Sequence, residues 1–94
     1  MLFRSIVEAA IFEHPAVGDC AVIGVPHPTL GEEVGAVIVV RPGHTLSAEE
    51  MQEFVGQRLG RFEVPTKIYF SDTPLPRNPQ GKVLKRELRE SVVA

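Results

Sequence analysis

The chain has 94 residues, of which 44% are hydrophobic and 23% charged, and its formal net charge is −2. This composition favours a small globular core over intrinsic disorder, and the charge argues against nucleic-acid binding. Cys20 has no second cysteine to pair with, which excludes a disulfide scaffold. The longest uncharged apolar run, 36–40, is far below the ~20 residues of a membrane span. We therefore expect one cytoplasmic domain over residues 1–94 with no membrane span.

The first half of the chain predicts a helix followed by two strands. Five apolar residues recur at the i, i+3, i+4 spacing of one helix face, and this helix should end before Pro15. Runs rich in valine, isoleucine and alanine then predict strands over 16–25 and 34–41. Because only a short turn separates the strands, we expect them to pair antiparallel. The five apolar helix residues are Phe3, Ile6, Val7, Ala10 and Ile11.

The second half predicts a helix, a short strand, a proline-rich loop and a last helix. Ser47 stands three residues before Glu50, the spacing of a capping box, and Gly60 marks the end of that helix. The strand should cover 67–71 and the last helix 83–91. The order of elements predicts an α+β domain: a small, mainly antiparallel three-stranded sheet with flanking helices. The apolar face of the first of these helices is predicted to hold Met51, Phe54, Val55 and Leu59, one side of the strand Ile68 and Phe70, and the inward side of the last helix Leu84 and Leu88.

Several kinds of catalytic or binding site find no support in the sequence. No zinc-type spacing links cysteines and histidines, so we predict no metal site and expect His14, His27 and His44 to be solvated loop residues. Cys20 lies in a predicted core strand and should be a buried, inert thiol. There is no phosphate-binding glycine loop and no serine-hydrolase motif. The chain alone should not enclose a nucleoside triphosphate.

Basic charge is concentrated near the C-terminus. Segment 75–90 holds five basic and two acidic residues, a net +3, whereas the rest of the chain carries −5. One interpretation is a solvated amphipathic helix. The other is that this end of the molecule meets an anion, such as a phosphate or a carboxylate.

The loop before the last helix carries three residues suited to anion binding. Lys82 is predicted at the start of that helix, where its ammonium and the helix N-terminus would hold an anion together. Gly81 lets the backbone approach a ligand closely, and Arg77 offers a planar fork for a carboxylate or phosphate. The alternative is an ordinary surface loop with a flexible lysine.

Four segments of the chain follow one known pattern in order and spacing. They are VEAAIFEHPAV (7–17), GVPHPTLGEEVGAVIVV (24–40), LGRFEVP (59–65) and LPRNPQGKVLKREL (75–88). Together they resemble the C-terminal domain of the adenylate-forming, or AMP-binding, superfamily. The superfamily includes acyl-CoA synthetases, peptide-synthetase adenylation domains and luciferases. Its members adenylate a carboxylate with ATP and Mg²⁺ and usually pass the acyl group to a thiol.

The resemblance assigns roles to the last segment. It implies that Lys82 is the catalytic cation of the adenylation step, with Gly81 and Arg77 binding substrate or nucleotide. The domain would then rotate for thioester formation. Peptide-synthetase domains tend to have aspartate where this chain has Leu84, so the acyl-CoA synthetase branch and CoA as acceptor are implied. His27 departs from the aspartate common in the family.

The resemblance also defines what the sequence lacks. Met1–Ser5 does not look like the family's hinge, and the 94 residues contain no counterpart of the family's large N-terminal ATP-binding domain. We therefore expect the isolated chain to be inactive and to hold no bound cofactor. The resemblance implies two partners: the N-terminal adenylation domain, in the same chain or as the other half of a split enzyme, and a small carboxylic acid. The sequence does not identify the carboxylic acid. Three basic residues are candidates for contact with the CoA phosphates, and no motif chooses among them: Arg58, Arg61 and Lys67. The alternative function is a stand-alone, non-catalytic binding or regulatory module.

Overall fold

The computed structural model describes residues 2–29, 31–60 and 63–93, with backbone only for residues 2–5, 27, 32 and 93. None of the helices in these ranges is long and apolar enough to cross a membrane. The predicted CoA candidate Arg61 lies outside the described residues. The elements are α1 (Leu2–Phe12), β1 (Val17–His27), β2 (Gly31–Val40), α2 (Ala48–Arg58), β3 (Lys67–Phe70) and α3 (Lys85–Val93).

The three strands form one sheet in the order β1-β2-β3. The predicted antiparallel pairing of β1 with β2 is confirmed over almost the whole length of both strands. β3 pairs parallel to β2, from Gly35 opposite Lys67 to Ile38 opposite Phe70. A parallel neighbour requires a crossover, and the connection through α2 supplies it. The α+β class is confirmed, with a mixed sheet that is antiparallel along its longer pair.

Both faces of the sheet are covered, which accounts for the nearly continuous apolar run in β2. α1 and α2 pack on one face, whereas α3 and the loop before it pack on the other. The first face buries Val7, Ile11, Val17, Cys20, Val22, Ala36, Ile38, Met51 and Val55, and the second buries Ala21, Ile23, Val25, Val37, Leu75 and Leu88.

Three apolar residues on the predicted faces are less buried than the residues they alternate with. Ile6 is 51% exposed, because α1 turns Val7 and Ile11 rather than Ile6 toward the sheet. Phe70 is 44% exposed, since it is the last residue of the edge strand β3. Leu84 is half-buried because it precedes α3, whose Leu88 is buried as predicted.

A bulge in β1 changes which face its side chains meet. Val17 opposes Val40 and Asp19 opposes Val39, so Gly18 is an extra residue on β1. A Cβ at Gly18 would lie 3.3 Å from the Val39 carbonyl oxygen, closer than most side chains tolerate. The bulge reverses the alternation of side chains, so that Val17 lies on the same face of the sheet as Cys20 and Val22, the face covered by α1 and α2.

The predicted capping box of α2 is confirmed. Ser47 Oγ accepts a hydrogen bond from the Glu50 amide at 3.1 Å, and Glu50 Oε1 accepts one from the Ser47 amide at 3.2 Å. Both groups satisfy backbone donors that a helix start otherwise leaves unpaired.

Replacing Ser47 with alanine is expected to lower the free energy of unfolding by about 1 kcal/mol, because the Glu50 amide loses its acceptor. Urea unfolding followed by circular dichroism measures the change. Glu50→Gln is the matched control, since glutamine also completes a capping box and should change stability less. A loss as large in Glu50→Gln as in Ser47→Ala would contradict this account.

Candidate functional site

A cleft of about 400 Å³ lies between α1, the edge strand β1 and the segment that precedes α3. It brings together two of the three residues predicted from the last segment, Lys82 and Arg77, and adds acidic side chains from the other end of the chain. The lining residues are Glu8, Phe12, Asp19, Cys20, Arg77, Lys82, Val83 and Lys85.

Lys82 is carried by a small β-hairpin, here called the Lys82 hairpin (residues 77–83). Arg77 and Val83 form an antiparallel bridge. Inside it, the Asn78 amide donates to the Lys82 carbonyl at 2.9 Å, and the Gly81 amide donates to the Asn78 carbonyl at 2.8 Å. Gly81 has φ +86°, the left-handed conformation that closes a three-residue hairpin loop. Gly81 is therefore required by the turn itself.

The side chain of Asn78 fixes the loop from inside. Its Oδ1 accepts hydrogen bonds from the amides of Gln80 at 3.0 Å and Lys82 at 2.9 Å. Pro79 occupies the second turn position, where its fixed φ is already correct for a type I turn. The backbone of Lys82 is thus held at both ends of its residue, while the side chain is exposed.

The prediction that Lys82 begins the last helix is wrong. α3 begins at Lys85, because the two preceding residues are still paired with the incoming strand of the hairpin. Val83 bridges to Arg77, and the Leu84 amide donates to the Pro76 carbonyl at 2.8 Å. The helix N-terminus therefore does not combine with Lys82 in the way the sequence indicated, and the hairpin positions the lysine instead.

Arg77 uses its guanidinium within the protein. Nη1 donates to the Gly81 carbonyl at 2.7 Å, and Nη2 lies 2.5 Å from Asp19 Oδ2. Asp19 in turn accepts a hydrogen bond from the Cys20 amide at 2.9 Å. The Arg77 guanidinium binds a carboxylate, as its chemistry predicts, but this carboxylate is the Asp19 side chain on β1 and belongs to the protein itself. Direct contact of Arg77 with a substrate remains a prediction.

A second ion pair anchors the start of α3. Lys85 Nζ lies 2.8 Å from Glu8 Oε2, which also accepts a hydrogen bond from the Val22 amide at 2.7 Å. That amide faces outward from the edge strand β1, so the Glu8 carboxylate covers an otherwise open donor. Glu8 and Asp19 were not singled out in the sequence. Their signal was weak: each is an acidic residue within an apolar segment.

These pairings leave Lys82 as the unpaired cation of the cleft. Arg77 is paired with Asp19 and Lys85 with Glu8, whereas Lys82 has no ion-pair partner among the described residues. An ammonium on a fixed backbone and without an internal carboxylate is available to an external anion.

Cys20 lies at the inner wall of the cleft and is 3% exposed. Burial, together with the nearby carboxylates of Glu8 and Asp19, raises the pKa of its thiol from 9.0 to about 12. The thiol therefore stays protonated at neutral pH, which agrees with the predicted inert role.

We expect Cys20 in the native chain to react with a water-soluble disulfide reagent at pH 8 at least ~10²-fold more slowly than in the urea-unfolded chain, since unfolding exposes the thiol and returns its pKa to the ordinary value. Absorbance of the released thiolate measures both rates. Similar rates in the two states would show that the cleft opens readily at this wall.

The other predicted candidates lie away from the cleft. Arg58 lies 3.5 Å above the Phe54 ring and pairs with Glu13 at 2.8 Å. Lys67 is exposed at the start of β3.

His14 is half-buried rather than solvated, because its Nδ1 accepts a hydrogen bond from the Ala16 amide at 3.1 Å. In the described part of the chain, no three His, Cys, Asp or Glu side chains are grouped so as to hold a metal ion.

Comparison with known proteins gives one consistent result. The family model of the AMP-binding enzyme C-terminal domain matches residues 6–82. A long-chain-fatty-acid–CoA ligase, FadD13 of Mycobacterium tuberculosis, is 41% identical over 93 residues, covering 99% of this chain and 18% of the ligase. A 3-[(3aS,4S,7aS)-7a-methyl-1,5-dioxo-octahydro-1H-inden-4-yl]propanoyl:CoA ligase of Rhodococcus jostii is 45% identical over 89 residues, 95% of this chain and 17% of that protein.

Solved structures give the same picture. A Brucella canis acyl-CoA synthetase matches with a TM-score of 0.85 and 36% identity over 94% of this chain and 17% of the other. The chain spans less than a fifth of the length of the relatives it matches. The family model covers most of α1, the whole sheet, α2 and the Lys82 hairpin up to Lys82 itself, and it ends before α3. By this match the chain belongs to the family of AMP-binding enzyme C-terminal domains.

Proposed function

We propose that residues 1–94 act as one domain, the C-terminal lid of an ATP-dependent acyl-CoA synthetase. In the whole enzyme, a carboxylic acid and ATP give an acyl-adenylate and pyrophosphate, and CoA then takes the acyl group. The observation that carries the proposal is the unpaired ammonium of Lys82 on a hairpin held to the edge of the sheet. The names of the relatives, which are CoA ligases, support the reaction class.

Lys82 is the residue to which the proposal gives the adenylation step. As the carboxylate oxygen attacks the α-phosphorus of ATP, negative charge grows on the phosphoryl oxygens and on the leaving pyrophosphate. The Lys82 ammonium donates hydrogen bonds to the carboxylate and to the α-phosphate oxygens where that charge develops. Because Asn78 and Gly81 already fix the backbone of the hairpin, little order must be gained at the moment of reaction.

The remaining parts of the reaction lie outside this domain. The proposal places ATP, Mg²⁺ and the acid pocket on an N-terminal adenylation domain, and the whole enzyme in the cytoplasm. CoA would meet the lid after it has rotated and withdrawn Lys82. Of the CoA candidates, Lys67 is exposed and has no ion-pair partner in the described ranges, whereas Arg58 is engaged by Glu13 and Phe54.

A chimera tests the proposal. The matching C-terminal segment of FadD13 is replaced by residues 1–94, and the formation of long-chain acyl-CoA is measured with ATP and CoA. We expect the chimera to be active, and FadD13 that lacks its C-terminal segment to be inactive. A folded chimera that binds ATP and lacks both half-reactions would contradict the lid function and favour the non-catalytic module.

A further inference from the structure

We propose that Arg77 is a positioning residue that keeps Lys82 available by occupying the Asp19 carboxylate. The proposal rests on the proposed function, because an available Lys82 matters only if this lysine binds an anion there. Its test measures the reactivity of Lys82 directly and needs no catalysis. It concerns the balance of charge in the cleft, where three cations meet two carboxylates. Whichever cation remains unpaired is the one that an external anion can use.

The geometry decides in favour of Arg77. Its guanidinium makes two contacts at once, with the Gly81 carbonyl at 2.7 Å and with Asp19 at 2.5 Å. The first contact lies within the Lys82 hairpin, so it orients the guanidinium toward Asp19 before the ion pair forms. Planar, doubly held guanidinium groups form stronger carboxylate pairs than a flexible ammonium does. Lys82 would have to order its whole side chain for a single contact.

The same competition does not arise at Glu8. That carboxylate accepts the Val22 amide at 2.7 Å and the Lys85 ammonium at 2.8 Å. Both partners lie on regular elements, β1 and α3, and stay in place when the hairpin is altered. Asp19 is therefore the carboxylate of the cleft that the loss of one side chain would release. Its side chain is 23% exposed, which leaves room for another cation to reach it.

Arg77→Gln should let Asp19 capture Lys82. The 94-residue chain is treated at pH 8 with a limiting amount of acetic anhydride, and peptide mass spectrometry gives the acetylation of Lys82 relative to Lys67. Lys67 is an internal reference because it is exposed, lies on β3 and has no ion-pair partner in the described part of the chain. We expect the ratio to fall roughly two- to fivefold in Arg77→Gln, the effect of an exposed ion pair.

Three further variants separate capture of Lys82 from simple loosening of the hairpin. Asp19→Asn also breaks the Arg77 pair but removes the capturing charge, so the ratio should stay at its wild-type value. Arg77→Gln with Asp19→Asn should restore the ratio. Arg77→Lys keeps a cation beside Asp19 but loses the guanidinium, so it should give a ratio between those of the wild type and Arg77→Gln. Circular dichroism confirms that each variant is folded.

Two results would overturn the proposal. The first is a ratio that falls equally in Asp19→Asn and Arg77→Gln, which would mean that the ion pair acts only by holding the hairpin. The second is an unchanged ratio in folded Arg77→Gln. Neither result bears on whether Lys82 assists adenylation, because acetylation with an external reagent needs neither ATP nor the N-terminal domain.

Discussion

Replacing Lys82 with alanine in the chimera with FadD13 is expected to lower carboxylate-dependent exchange of pyrophosphate into ATP about 10²–10³-fold. This is the usual effect of removing one donor aimed at developing transition-state charge. Formation of acyl-CoA from preformed acyl-adenylate should change far less, because the proposed lid has by then moved Lys82 away. The two half-reactions are measured separately, the first with labelled pyrophosphate and the second with synthetic adenylate.

Arg86→Ala is the matched control for Lys82→Ala. Arg86 is also a basic residue of the C-terminal segment, but its side chain is 93% exposed and does not line the cleft. Its loss should leave both half-reactions near the level of the unmodified chimera. Equal losses in the two half-reactions of Lys82→Ala would refute the role given to this lysine, since a general defect of the lid would then explain the result.

The fold could be predicted largely from local patterns. Helical spacing in α1, the Ser47 capping box and the valine-rich runs each specify an element from neighbouring residues alone. Those patterns do not predict that β3 pairs parallel to β2, because the sequence of a four-residue strand does not show in which direction it runs relative to its neighbour. That direction follows from the crossover through α2, which is a property of the chain's path.

The site was less predictable, because its geometry depends on residues far apart in sequence. The Asp19–Arg77 pair spans 58 positions, and no local pattern links an acidic strand residue to a loop arginine. The order Asn78-Pro79-Gln80-Gly81 does contain the turn signals of a three-residue hairpin loop. By itself this order predicts a loop that leads into a helix, because the pairing of Arg77 with Val83 is visible only in the structure.

The flanks of the Lys82 hairpin are anchored by two buried leucines, and the second large effect is expected there. Leu75 precedes the hairpin and Leu88 follows it, and each is 4% exposed against the α3-side face of the sheet. Leu88→Ala removes most of a core side chain and leaves a cavity. We expect a loss of about 2–5 kcal/mol in the free energy of unfolding, a large share of the roughly 5–14 kcal/mol available to a domain of this length.

Urea unfolding of the 94-residue chain measures this loss, and two variants calibrate it. Leu88→Met nearly conserves volume and should cost less than about 1.5 kcal/mol. Leu84→Ala removes the same atoms from a half-buried position and should cost less than Leu88→Ala. Amide exchange at Lys82 gives the link to function: because Leu88 holds α3 against the sheet, its loss should speed this exchange more than exchange in β2. If Leu88→Ala were no more costly than Leu84→Ala, α3 would not be docked as described, and the support of the hairpin would have to come from its ion pairs alone.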